Sequence, residues 1–160
     1  MPEKIAIDGI EKNERMTKVT LFGVPDRPGM AGEIFGALGQ KGISVELLVT
    51  NPGAAGRSNI SFAILNEEMK AARSILEEVK NRVSAESLSF QPDMALISIH
   101  GKRLSGVPGV AGKMFHALAS NGINIDSISS SRTGVTCLIA QEHIPTAESS
   151  LHAVFTLNAS

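Results

Sequence analysis

The chain repeats itself at a fixed offset, and this constrains its fold more than any other feature. Pro28-Gly29-Met30-Ala31-Gly32 returns as Pro108-Gly109-Val110-Ala111-Gly112. Ile34-Phe35, Ala37-Leu38 and Gly42-Ile43 return as Met114-Phe115, Ala117-Leu118 and Gly122-Ile123. Every one of these pairs is 80 positions apart with no gap, which marks the duplication of one folding unit. The alternating runs ahead of them, Val19-Thr20-Leu21 and Ile97-Ser98-Ile99, are 78 apart, so the second connecting loop is two residues longer. A duplicated chain of 160 residues reads as two small domains.

The first copy can be followed element by element. A strand over Thr17–Gly23 enters the turn Gly23-Val24-Pro25-Asp26-Arg27-Pro28-Gly29. A helix is expected from about Pro28 to Lys41, with Met30, Ile34 and Leu38 on one face and Gly42 as its terminator. Ile43, Val45, Leu47 and Val49 alternate with Ser44, Glu46, Leu48 and Thr50, as a strand with one strongly apolar face does, and Asn51-Pro52-Gly53-Ala54-Ala55-Gly56 reads as a turn or loop. Ile60, Phe62 and Ile64 give the next strand. Asn66 is expected to cap a second helix whose inward stripe is Met69, Ala72, Ile75, Leu76 and Val79. Glu67 and Glu68 fall in its first turn, Lys80 and Arg82 near its end. Ser87–Phe90 is a weak closing strand, and the order is β-α-β-β-α-β.

The second copy continues through strands at Ile123–Ser130 and Val135–Ala140 and a helix begun by Pro145, with Ala147, Leu151 and Val154 facing inward. It then runs out of chain for a sixth element. Ile5–Ile10, a short alternating strand, lacks a partner of its own, and Glu11–Arg15 reads as a charged turn. An open sheet edge exposes unpaired backbone groups. The economical arrangement therefore lets the N-terminal strand complete the second sheet. The expected fold is α+β, with one unit over residues 15–92 inserted in another made of residues 1–14 and 93–160.

Composition narrows the function. The chain has no Trp or Tyr and six Phe, so its core is aliphatic and it lacks the usual platform for stacking bases. Fifteen basic and sixteen acidic residues leave a net charge of −1, which argues against a nucleic-acid partner. Cys137, the lone cysteine, lies in an apolar alternation and reads as a small buried hydrophobe. No apolar run approaches a membrane span and the N-terminus carries no signal-peptide pattern, so a cytoplasmic protein without a membrane partner is expected.

Few residues offer catalytic chemistry. Gly106–Lys113 superficially resembles a phosphate-binding loop, but its glycine spacing is wrong, Met114 follows the lysine, and Pro108 removes an amide. His100, His116, His143 and His152 lack metal-ligand spacing, so neither a metal nor another cofactor is expected, and no nucleophile motif occurs. The Met residues at 30, 69, 94 and 114 fall on apolar faces. What remains is binding chemistry. A helix starting near Pro28-Gly29 presents free amides that attract an anion, and Asp26 just before it suits a cation. Together they fit a zwitterion such as a free amino acid. Thr50 and Asn51, ending the next strand, and Asn124, near the start of the corresponding strand in the second copy, supply further polar groups.

These residues carry a resemblance. Gly23-Val24-Pro25-Asp26-Arg27-Pro28-Gly29 with Ile34-Phe35-Gly36-Ala37-Leu38, then Pro108–Phe115 with Gly122-Ile123-Asn124-Ile125, resemble the paired ACT domains at the C-terminus of aspartate kinase. The resemblance implies two ferredoxin-like βαββαβ units, the first inserted in the second, dimerised through sheets and helices. It implies feedback sensing of lysine or threonine on behalf of a catalytic kinase domain or subunit, with no catalytic residue in this chain. It places effector contacts on Asp26, Gly29, Met30 and Ala31, on Thr50 and Asn51, and on Ile123, Asn124 and Ile125. Thr50 stands where the family usually has Gln, Arg57-Ser58-Asn59-Ile60 replaces Thr-Thr-Asp-Ile, Ser131-Arg132 replaces Ser-Glu, and Gly106 stands opposite Asp26. A module of the same type that dimerises without binding an effector is the alternative reading.

Overall fold

The computed structural model describes residues 4–158. In chain order the elements are β1 (Ile5–Ile7), β2 (Gly9–Pro25), α1 (Met30–Gln40), β3 (Glu46–Pro52), β4 (Arg57–Leu65), α2 (Met69–Val83) and β5 (Ser87–His100). They continue with α3 (Val110–Ser120), β6 (Ser127–Ser130), β7 (Gly134–Ala140), α4 (Ile144–Val154) and β8 (Phe155–Leu157). The chain forms two compact units. The inserted unit is Arg15–Pro92, and the outer unit is the chain up to Glu14 and from Asp93 onward.

In the inserted unit the strand order is β3-β4-β2-β5, with β4 antiparallel to both neighbours. Alternation in β2 and β4 puts Val19, Leu21, Ile60, Phe62 and Ile64 on one face of the sheet. The helical period puts Ile34 and Leu38 of α1, and Ala72, Leu76, Val79 and Val83 of α2, against that face. Phe35 meets Phe62 edge-on at 5.1 Å between ring centroids. The outer unit repeats the plan in the order β2-β5-β7-β6, with Ile97, Ile99, Cys137 and Ile139 packed against Met114, Leu118, Ala147 and Leu151. Both are ferredoxin-like α+β units.

The two copies end their first helices identically. Gly42 and Gly122 adopt φ of 75° and 73°. Ile43 donates to the Leu38 carbonyl and Gly42 to that of Gly39, and Ile123 and Gly122 repeat the pattern on Leu118 and Ala119. This paired closure satisfies the last carbonyls and requires a left-handed residue, which glycine adopts without steric cost.

Several expectations are corrected. The charged segment at Glu11–Arg15 is not a turn but part of the continuous strand β2, and Ser87–Phe90 is the start of one long strand reaching His100. Charged residues belong in a strand when their side chains reach water, and Glu11, Lys12 and Glu14 are exposed, Lys12 pairing with Glu148 at 2.8 Å. Arg15 and Asp93, where these two strands pass from one unit to the other, both take φ of 61°. Asn51 and Pro52 are not loop residues but close β3, opposite Asn59 and Ser58. Proline is tolerated there because β3 is an edge strand. The reversal is confined to 53–56, with Ala55 and Gly56 at φ of 57° and 69°.

The helices differ at their starts. Neither Pro28 nor Pro108 begins its helix; Gly29 and Gly109, at φ of 95° and 82°, are the capping residues and the helices begin one residue later. Asn66 does not cap α2 directly. A single 3₁₀ turn, Asn66–Glu68, precedes that helix, and the Asn66 Oδ1 accepts a hydrogen bond from the buried Thr17 hydroxyl at 2.6 Å. Met94 and Met114 are buried, whereas Met30 and Met69 are only half-buried. The outer unit does have a last strand after α4: β8 is three residues long and pairs in parallel with β1, Ile5 opposite Phe155 and Ile7 opposite Leu157. A three-residue strand is too short to leave an alternation signal.

Candidate functional site

The inserted unit gathers six of the nine expected contacts at one end of its sheet. β2 ends at Pro25 and α1 starts at Met30, while β3 ends and β4 starts at the same edge, Pro25 opposite Arg57 and Pro52 opposite Ser58. Asp26, Gly29, Ala31, Thr50 and Asn51 are exposed here, and Met30 is half-buried under the turn. The first helical hydrogen bond runs from the Glu33 amide to the Gly29 carbonyl at 3.0 Å. The amides of Gly29, Met30 and Ala31 precede it and have no acceptor inside the helix. They concentrate the positive end of the helix dipole where an anion can approach. The Asp26 carboxylate, exposed to solvent, has no side-chain hydrogen bond or ion pair with other described residues.

The turn itself is firmly held. Gly23 adopts φ of 65° at the break in register between Leu21 and Val24. Its amide donates to the Asn59 Oδ1 at 3.1 Å, and its carbonyl accepts from the Arg57 Nη1 at 2.6 Å. The same Arg57 nitrogen donates to the Ser84 carbonyl at 2.9 Å, tying the turn to the end of α2. Arg57 Nε is 3.7 Å from Glu86, whose amide donates to the Phe22 carbonyl at 2.8 Å. Asp26 is fixed by its amide, which donates to the Gly56 carbonyl at 2.9 Å. One face of the turn is therefore bound to protein, and the Asp26 carboxylate and the helix amides are left to solvent. Sequence reading noticed Arg57 and Asn59 only as departures from a family pattern. Their role depends on β4 lying beside β2, which no local signal reveals.

The other three expected residues lie in the outer unit, between α3 and β6. Within that unit they are at the far end of α3 from the unit's own turn, about 16 Å away for an 11-residue helix. Ile123 is 3% exposed with its side chain in the core and its amide bonded to Leu118, so only its carbonyl remains to offer. Ile125 also packs against the core, and Asn124 is exposed. The turn of this unit, 101–109, carries Gly106 where the inserted unit has Asp26 and has no carboxylate of its own.

Among the described residues no three His, Cys, Asp or Glu side chains are grouped to hold a metal, and no helix is long and apolar enough to cross a membrane. Cys137 is buried and its thiol is pushed up to about 12 by loss of solvation, which removes the thiolate that nucleophilic chemistry would need. The arrangement offers reversible binding of a charged small molecule.

Comparison with known proteins bears on which molecule. A family model described as ACT domain matches residues 19–79 and 97–155, one match in each copy. The aspartokinase of Bacillus sp. (strain MGA3) is 30% identical over all 160 residues. The chain spans only 39% of that relative's length. The ligand-free regulatory subunit of aspartate kinase from Thermus thermophilus has a TM-score of 0.85 at 31% identity, covering 93% of this chain and 98% of that one. A structure of aspartokinase alpha and beta subunits gives a TM-score of 0.84 at 31% identity, over 92% of this chain and 97% of that one.

Proposed function

We propose, because the chain belongs to the ACT-domain family and matches the regulatory part of aspartate kinases, that it senses a free amino acid and regulates a catalytic kinase domain or subunit. The site is the β2–α1 turn of the inserted unit. The effector's carboxylate sits on the amides of Gly29, Met30 and Ala31, its ammonium group on Asp26, and Thr50 and Asn51 contact the remainder. The observation that carries the reading is the pairing of an unpartnered carboxylate with a helix N-terminus in a turn whose opposite face is locked by Arg57 and Asn59. That is the charge pattern of a zwitterion.

Lysine and threonine, the end products that such a kinase would answer to, are the proposed effectors. The chain acts as a cytoplasmic homodimer formed through its ACT units, and the exposed Asn124, with the backbone of Ile123 and Ile125, is the surface that a second copy offers. Regulation requires only that the effector bind one state of the assembly more tightly than another. The test is titration calorimetry of the folded chain with lysine, threonine and methionine. Saturable binding by at least one, weakened by about 1–3 kcal/mol in Asp26→Ala through loss of a charge-assisted contact, is expected. A folded dimer that binds none of them at millimolar concentration would be a dimerisation module instead.

A further inference from the structure

The two copies diverge most in the loop between their first strand and first helix, and the longer one builds a different surface. In the outer unit this loop is Gly101–Gly109, two residues longer than Gly23–Gly29. The added length carries Lys102 and Arg103. Leu104, only 8% exposed, plugs the loop into the hydrophobic core, and the Gly101 amide donates to the Thr133 carbonyl at 2.8 Å. The loop is thus pinned on either side of its two basic residues, both of which are exposed.

Opposite them lies the β1–β8 pair. Asp8 follows β1 and is used as a structural clasp. One carboxylate oxygen accepts from the Lys102 amide and the other from the Asn158 Nδ2, each at 2.8 Å. These two hydrogen bonds, that from Asn158 being the stronger influence, hold the Asp8 carboxyl below its ordinary pKa. Between loop and ribbon is a cleft of about 700 Å³ lined by Lys4, Lys102, Arg103, Asp8, Val107 and Asn158 among others. Lys4, Lys102 and Arg103 against one carboxylate leave two positive charges in excess, and none of the three is in a salt bridge with a described residue. Like charges gathered at one exposed cleft repel one another across solvent, and an anion seated among them relieves that repulsion.

We propose that this cleft is a binding site for a small dianion, a dicarboxylate or a phosphate monoester, held by Lys102, Arg103 and Lys4, with Val107 as an apolar wall. The site is separate in position and in charge preference from the zwitterion site of the inserted unit. The inserted unit has no counterpart, because its shorter loop lacks both basic residues.

The experiment is calorimetry and ¹⁵N amide mapping of the full chain with inorganic phosphate and with succinate, each against chloride at constant ionic strength. Saturable binding of either, with shifts at Lys102, Arg103 and Asn158, is expected. Phosphate alone binding would assign the phosphate class, succinate alone the dicarboxylate class. Lys102→Gln with Arg103→Gln should weaken binding about tenfold or more by removing two charge-assisted contacts. Lys113→Gln, outside the cleft, should leave it unchanged. Lys102 and Arg103 are exposed and Lys113 is half-buried, and circular dichroism will verify that both variants fold. Responses no larger than those to chloride, or equal affinity in the double variant, would overturn the proposal, whether or not an amino acid binds elsewhere.

Discussion

Arg57 is the residue whose removal tells most about how the turn is held. It sits at the start of β4, with its side chain 35% exposed, and spans from Gly23 to Ser84. Arg57→Ala deletes two hydrogen bonds from a charged donor. Such bonds contribute about 1.5–3 kcal/mol each when shielded. The two are not equally shielded: the Gly23 contact is part-buried and the Ser84 contact is exposed, so water replaces the second at little cost. The Glu86 pairing, at 3.7 Å with Glu86 64% exposed, adds only a few tenths of a kcal/mol at most. The expected loss is therefore about 1–2 kcal/mol, almost all from the Gly23 carbonyl. For a unit of this size that lowers the melting temperature by roughly 4–16 °C. Calorimetric unfolding of Arg57→Ala and Arg57→Lys measures it. Lysine keeps the charge, but its side chain is one bond shorter than the reach to the Arg57 Nη1 that serves both carbonyls, so it should restore less than half of the loss. If Arg57→Ala unfolds with the wild-type midpoint, or lysine substitutes fully, the turn is held by something else.

Two further outcomes follow from the geometry. Gly42→Ala and Gly122→Ala each force a side chain into the left-handed region and should cost about 1–2 kcal/mol, measurable by urea unfolding; equal stability would mean that the helix ends are not closed as described. Cys137, whose folded pKa of about 12 exceeds its ordinary 9.0 because of burial, should resist thiol reagents at pH 8 until the chain unfolds. The unfolded chain releases that proton first, so this contribution to stability is intact below pH 9 and is lost progressively between 9 and about 12. A thiol titrating near 9 in the folded chain would show that Cys137 is not enclosed.

What could be read in the sequence depended on how local its cause was. The helices α1 and α3 were visible because Ile34 and Leu38, and Met114 and Leu118, recur at helical spacing and a glycine follows each end. The duplication was visible because identical turn shapes demand identical glycines and prolines. Strand continuity was harder. Glu11–Glu14 in β2 looks like a turn, and only a neighbouring strand makes such a polar segment extended. The Asn51-Pro52 pair misled similarly, since a proline signals a loop unless the strand is known to be an edge. Within the site, Asp26 and the glycine-led helix start were legible as chemistry. Arg57 and Asn59 were not, because they are more than 30 positions from Gly23 and meet it only through the sheet. Ile123, expected as a contact, has its side chain in the core and only its carbonyl to offer, because the helix-closing turn at Gly122 swings the chain back onto the apolar face.

The central claim is that the effector is held by the inserted unit's turn and not by its duplicate. Amide chemical-shift mapping of the full chain, titrated with lysine and with threonine, tests it most directly. The account predicts saturating shifts at Gly29, Met30 and Ala31, with much smaller ones at Gly109, Val110 and Ala111, where no carboxylate stands beside the helix start. Equal shifts in both turns, or shifts that spare Gly29–Ala31 while binding saturates, would contradict it.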